Sequence, residues 1–400
     1  MQHHRKILLI SMLWILLGIP VMPTAAAQDG EEDASGADEA ASTESTETGN
    51  EEQESSETIG AIKGRFLAAP VIITEPAIGK GLGAGLIYFH GTKATDRPRV
   101  QSGADVANTG RRSNAPPTAT AVGAFYTSNE TAVIEAGHSR SFAEDRYRTV
   151  GVFASAEINA TFYQSNEGFD FGLDMNAAYA RIQRRMGDSD VFLGLSAMWM
   201  DGDIGFETGD RTNLPPSVVD FPFTDVGIAG MAIYDSRDDS MMPGTGQLYD
   251  LTIARHDDAF GSDFDYTNTR IKILSFHELH EKFHLGLRFD VSQNNGEAPF
   301  FMIPYVSLRG IPALRYQGEA AGAVELEGRY DISPRWAAVA FTGAGFVSTD
   351  DPLYDDPDNI FTVGAGIRYQ LFKEQNVWVG LDIAEGPEES NWYVQIGHPW

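Results

Sequence analysis

From about Ile59 onward, apolar and polar residues alternate along the chain with a period of two, the spacing of a strand with one oily and one wet face. Val363, Ala365, Ile367 and Tyr369 alternate with Gly364, Gly366, Arg368 and Gln370, and Val377, Val379, Leu381 and Ile383 alternate with Trp378, Gly380 and Asp382. Leu285, Leu287, Phe289 and Val291 stand in the same way against Gly286, Arg288 and Asp290, and Val324, Leu326 and Tyr330 against Glu325, Glu327 and Arg329. The last ten residues carry the pattern to the carboxy-terminus: Trp392, Val394, Ile396 and Trp400 share one face, expected to meet lipid, and Asn391, Gln395 and Gly397 share the other. An aromatic strand with a bare edge is an aggregation hazard in a soluble domain, whereas a closed barrel has no edge to expose. The pattern predicts an all-β fold, a transmembrane antiparallel β-barrel, with a soluble β-sandwich as the alternative.

Cutting the chain at its turn signals gives about sixteen strands, an even number of the kind a single-chain bacterial barrel uses. They run from near 66–75 to near 390–400. With tight turns at 187–188, 280–281 and 331–334 placed in the periplasm, the long connections at 201–221, 294–317 and 348–359 all fall outside. Two stretches, 91–117 and 236–245, are longer than the periplasmic turns that this count makes of them.

Residues 1–27 read as a signal peptide. Arg5 and Lys6 precede an apolar run from Ile7 to about Met22, and Ala25, Ala26 and Ala27 supply the small residues for cleavage after Ala27. Residues 28–58 read as a disordered acidic linker, because Gln28 to Glu57 holds twelve acids and no Lys or Arg and has too little apolar surface to form a core. That leaves 59–400 for the barrel. The chain has no cysteine and a net charge of −28, which argues against a lipoprotein anchor, disulfides and nucleic-acid partners. Export together with period-two strands predicts the bacterial outer membrane, with its lipids and lipopolysaccharide as partners.

Pro70 to Phe89, Asp235 to Gly246, Leu308-Arg309-Gly310, and Val363 to Trp400 resemble the barrel of the BamA/TamA-type outer-membrane proteins, the bacterial surface antigen family. The resemblance covers nearly everything after the acidic segment. It implies an Arg-Gly turn on the sixth outer loop that folds back into the lumen, where Arg309 meets acids on the inner wall. Glu325 and Glu327 are the candidate partners. The family's thirteenth strand carries an aromatic-x-Asp-x-Gly pattern, but here Phe341-Thr342-Gly343-Ala344-Gly345 puts Gly343 where the acid belongs. Separately from the resemblance, the terminal strand, with its alternating apolar residues and final aromatic, is expected to be what the barrel-assembly machinery engages, through Trp392, Val394, Ile396 and Trp400. Family members that insert or translocate proteins carry periplasmic POTRA domains. Residues 28–57 cannot build one, so the chain looks like a short member without them, and the assembly function does not carry over unaltered. Apart from the resemblance, Arg309 reads as a solvated loop charge.

No cofactor, metal site or enzyme activity is expected. His277, Glu281 and His284 have a metal-ligand spacing on a helix, but strands joined by a tight turn do not present that face. Gly79, Gly81, Gly83 and Gly85 around Lys80 imitate a phosphate loop, yet no helical pattern follows, so they predict a strand with a small inner face. Asp350, Asp351, Asp355, Asp356 and Asp358 form an acidic outer loop without calcium-loop spacing. Three functional readings stay open. The first is a conduit for protein or lipid through a lateral seam between the first and last strands, weakened by Pro70, Pro76, Gly397 and Pro399. The second is a passive pore whose acidic lumen favours cations, and the third is an outer-membrane hydrolase.

Overall fold

Sixteen strands make one antiparallel sheet in which each is hydrogen-bonded to the next in chain order. They are β1 (Arg65–Glu75), β2 (Gly79–Phe89), β3 (Ala119–Thr127), β4 (Ala132–Phe142), β5 (Tyr147–Gln164), β6 (Glu167–Arg185), β7 (Val191–Glu207) and β8 (Val218–Asp235). The second half comprises β9 (Gly246–His256), β10 (Asp265–His280), β11 (Phe283–Glu297), β12 (Ala320–Ser333), β13 (Trp336–Ser348), β14 (Ile360–Phe372), β15 (Val377–Glu385) and β16 (Ser390–Ile396). The computed structural model describes residues 65–75, 78–90, 115–164, 167–207, 218–349, 360–373, 376–388 and 390–400. Residues 1–27, expected to be a signal peptide, residues 28–58, expected to be an acidic linker, the 350–358 stretch and most of 91–117 lie outside these residues.

The alternation that predicted the strands sorts the side chains into two faces. Leu82, Leu195, Ile253, Val363 and Ile383 stand exposed on the outer face, where bilayer lipid would cover them, while Arg288, Asp290, Glu325, Glu327, Arg368 and Asp382 are buried on the inner one. A bilayer needs only about 9–11 residues per tilted strand. At 18, 19, 17 and 18 residues, β5 to β8 carry the wall well beyond that thickness. The glycines around Lys80 lie in β2, as expected. A Cβ on Gly83 would come 2.5 Å from the Cβ of Phe125, so what they permit is the close approach of β3.

The turn at 236–245, too long for a simple hairpin, folds into the turn end of the barrel. Asp238 Oδ1 accepts the N–H groups of Gly244 at 2.9 Å and Thr245 at 3.1 Å, and Asp239 Oδ1 accepts those of Met241 at 2.7 Å and Met242 at 2.8 Å. The two aspartates thus supply the backbone partners that a ladder would have given, and Met241 and Met242 are buried.

Among the described residues, no ladder joins β16 back to β1. What joins the two ends is apolar packing. Leu67, Ile87, Phe89 and Ala119 form one buried cluster with Val377, Ile396 and Met241, and the Phe89 ring lies 6.1 Å from that of Phe372. Val379 pairs with Ile396 and shares the face of the exposed Leu381 and Ile383. The inner face of β1–β3 therefore laps over the outer face of β14–β16 at the turn end.

Candidate functional site

The connection between β11 and β12, residues 298–319, enters the barrel and does not stand in solvent. It starts with a 3-10 turn at Phe300–Met302 and is pinched at its neck by a Tyr305–Gln317 bridge and by Val306 N–H donating to the Tyr316 carbonyl at 2.9 Å. Val306, Leu308, Ile311 and Tyr316 pack with Ala321, Ala323 and Ile360 of the wall, which pulls the loop tip inward. At the tip Gly310 has φ +99°, and its N–H donates to the hydroxyl of Tyr393 on β16. Only a glycine adopts that backbone without strain, and a Cβ there would lie 3.2 Å from the backbone of Glu385 and Gly386.

This tip places Arg309, 6% exposed, between two walls of the lumen. Its Nε donates to Glu325 Oε1 at 2.7 Å, its Nη1 donates to Asp382 Oδ2 at 2.8 Å, and Glu327 Oε2 lies 2.9 Å from Nη1. The guanidinium carbon sits 3.4 Å from the centre of the Phe341 ring. Both candidate acids on β12 thus face Arg309. Glu327 contributes charge more than aligned hydrogen bonding, since neither of its oxygens meets hydrogen-bond geometry. Burial works against the charge on Arg309, but Glu325, Glu327 and Asp382 outweigh it and push its pKa above the ordinary arginine value.

The third acid was not foreseen. The position expected to hold it, Gly343, lies under the loop, where a Cβ would come 2.7 Å from Leu308 Cδ2. Asp382 on β15 supplies the carboxylate instead. Arg368 of β14 donates to it from below, and Gln395 of β16 donates to it at 3.1 Å. Glycines make the room: a Cβ on Gly380 would lie 2.7 Å from Arg368 Nη1, and one on Gly366 would collide with Asp382. The inward alternation of Arg368 and Asp382 was visible in the sequence, but a pairing across 73 residues was not.

The terminal strand departs from expectation at its last residue. Trp392 and Val394 keep their outward register, opposite Ile383 and Leu381. Ile396 shares their face but is buried under the lapped β1–β3. Gly397, at φ +77°, then turns the chain inward. Trp400 does not reach lipid. It packs on Leu274 and Phe276, and its Nε1 donates to Glu325 Oε2 at 2.6 Å. The period of two ends with the strand at Ile396, so the parity that put Trp400 outside no longer applied. His398 follows it inward: its Nε2 lies 3.3 Å from Glu327 and its N–H donates to the Met241 carbonyl at 2.6 Å. Burial pushes the His398 pKa down, although Glu327 pulls the other way.

Between the loop and this tail lies a cavity of about 370 Å³. Among the described residues, its lining holds seven Arg or Lys side chains against three aspartates, so the lumen is basic there and not acidic as expected. His277 and His284, considered as metal ligands, lie on different strands, with His277 bonded to Ser275 and His284 to Asp331. The other notable polar cluster joins Ser262 Oγ at 2.9 Å, His256 Nδ1 at 2.6 Å and Tyr266 Oη at 3.0 Å to Asp225. There the serine spends its proton on the carboxylate, and the imidazole does not stand between the two as a nucleophile's base would.

No family model and no curated protein matches the chain. Among solved structures it is similar to BamA from Haemophilus ducreyi lacking POTRA domains 1–3, with a TM-score of 0.55 and 10% identity over 84% of this chain and 70% of that one. It is also similar to CdiB from Escherichia coli, with a TM-score of 0.57 and 10% identity over 83% of this chain and 62% of that one. For CdiB from Acinetobacter baumannii the TM-score is 0.53 and the identity 9%, over 83% of this chain and 59% of that one. The chain thus spans about three fifths of the length of the two CdiB chains. At such identities the likeness is one of fold, and the fold is that of the BamA and CdiB outer-membrane barrels.

Proposed function

We propose that this chain is an outer-membrane conduit that passes or inserts protein or lipid through a lateral seam between β1 and β16. The observation that carries the reading is the missing ladder. Every other neighbouring pair in the sheet is hydrogen-bonded, while β16 is only seven residues long and pairs with β15 alone among the described residues. Edge strands left unpaired invite another strand. In place of a ladder, the last strand is held from inside the barrel. Tyr393 meets Gly310, Gln395 meets Asp382, Trp400 meets Glu325, and Arg315 of the loop donates to Glu388 of the β15–β16 connection at 2.5 Å. The loop is then a brace on the movable hairpin, and releasing it frees the seam. The BamA and CdiB fold supports the same reading.

Site-specific photo-crosslinking in cells tests it. A photoreactive residue at Phe66 on β1 or Val394 on β16 should capture protein adducts, or lipid adducts above the bulk-lipid background, that the same probe at Ile253, on the lipid-facing outer side of β9, does not. Equal capture at all three positions would mean that the seam is ordinary barrel wall.

A further inference from the structure

The chain as a whole carries a charge of −28, yet the lumen cavity is lined by more than twice as many cations as acids. Around the loop anchor, the arginines are matched: Arg309 has three carboxylates and Arg368 has Asp382. In the cavity the match is uneven: Arg148, Arg237 and Arg270 are paired with aspartates, whereas Lys272 and Arg288 have no close counter-charge of their own among the described residues. Lys272 of β10 is 9% exposed and lines the cavity, and among the described residues it has neither a hydrogen bond nor an ion pair. Its cross-strand neighbours are Asp250 on β9 and Asp290 on β11, the natural partners for a lysine at that register. Both are engaged elsewhere. Asp290 takes Arg270 at 3.0 Å, and Asp250 accepts the Thr252 hydroxyl at 2.8 Å.

Arg288, next along the β11 face, is also poorly matched. Its nearest acids stand at 3.6 Å (Glu325) and 3.8 Å (Asp290), and its buried Nε has no hydrogen-bond partner. A buried cation without a close counter-charge is costly, and a charged or bidentate acceptor in the cavity would relieve both groups at once. Hydroxyl and amide groups of Thr252, Asn268 and Ser292 stand beside them on the lining. At about 370 Å³ the space is at the small end of the range for small-molecule sites. Residues of the inserted loop (Phe301 to Tyr305) close one side, and His398 and Trp400 of the tail line the other.

We infer that this cavity is a binding site for a small multivalent anion bearing phosphoryl or carboxylate groups, held by Lys272 and Arg288 between the inserted loop and the carboxy-terminal tail. Such an anion touches the two elements that hold the last strand, so its presence would also favour the braced state.

Titration calorimetry on the purified barrel, with inorganic pyrophosphate and with citrate as probes, tests the assignment. At least one probe should bind wild type saturably. Lys272→Met should weaken that Kd by about tenfold or more, as the loss of a charge-assisted hydrogen bond does, while Lys272→Arg should retain binding. Arg288→Gln, which leaves Lys272 in place, should weaken it as well and serves if Lys272→Met does not give a heat-modifiable barrel. Native mass spectrometry of protein extracted from membranes separates the sources. A phospholipid or glycolipid adduct lost in Lys272→Met assigns the site to a lipid headgroup, and a small-solute adduct or none assigns it to a free anion. Absence of binding by both probes to wild type, or wild-type affinity in both Lys272→Met and Arg288→Gln, would overturn the inference.

Discussion

Replacing Arg309 by alanine removes the one cation that, among the described residues, touches Glu325, Glu327 and Asp382 together. Breaking a buried pair by deleting one partner costs about 3–5 kcal/mol, because the other charge is left uncompensated. Here the remaining groups blunt that penalty: Glu325 keeps Trp400 at 2.6 Å, Asp382 keeps Arg368 and Gln395, and Glu327 keeps His398 at 3.3 Å. The lost stacking on Phe341 works in the opposite direction by about 1–2 kcal/mol, as a desolvated cation over a ring does. Together these give about 4 kcal/mol, which favours loop release by about a thousandfold. When opening is fast relative to cleavage, proteolysis tracks the open population, so cutting within 298–319 should accelerate by orders of magnitude while the strands stay protected. Arg309→Lys should fall between the two, since an ammonium cannot fork to several carboxylates or stack flat. In a double-mutant cycle, Arg309→Ala with Glu325→Gln should cost less than the sum of the single changes, with a coupling of about 0.5–3 kcal/mol. Cutting rates within threefold of wild type, or strict additivity, would refute the reasoning.

Three further outcomes follow from the same geometry. Trp400→Phe keeps the packing on Phe276 but leaves Glu325 Oε2 without its indole donor, and should destabilise the barrel by about 1–3 kcal/mol, read from the heat-modification midpoint; Trp400→Asp, which brings a second carboxylate toward Glu325, should fall further and lower the outer-membrane level, and wild-type levels and midpoint would contradict the inward placement. Gly343→Asp restores the acid of the family pattern, yet its Cβ would meet Leu308 at 2.7 Å, so it should speed cleavage of the 298–319 loop; slower cleavage would show that the added acid strengthens the anchor. In planar bilayers, Arg309→Ala should raise conductance, and the reversal potential under a salt gradient should show anion preference from the basic lining; cation preference would contradict that account of the lumen.

The fold was legible because a barrel wall obeys one local rule. Each strand alternates on its own, so the faces of Glu325, Glu327 and Asp382 could be read without knowing what lies opposite. Strand ends were less legible where pairing set them: β5 reaches Gln164 and β8 begins at Val218, because a long strand is extended by its neighbours and not by its own composition. The anchor was legible only as far as Arg309 and the β12 acids. Its third carboxylate depends on Gly366 and Gly380 leaving space beside Asp382, a three-dimensional fact that no spacing encodes. Trp400 was misplaced because the alternation was carried through Gly397-His398-Pro399, a segment whose glycine and proline already marked the end of the strand. The basic lumen was likewise open to reading. Arg270, Lys272 and Arg288 alternate inward on adjacent strands, but the overall negative charge masked them.

The central claim is that β1 and β16 meet without a hydrogen-bonded ladder, and amide hydrogen exchange of the barrel in lipid nanodiscs tests it most directly. A strand paired on one side only leaves alternate amides without a partner. Peptides covering 65–75 and 390–396 should therefore exchange about half of their amides rapidly, while β9 and β10, paired on both sides, remain protected throughout. Full protection of β1 and β16, matching that of β9 and β10, would show a closed ladder at the seam and contradict the account.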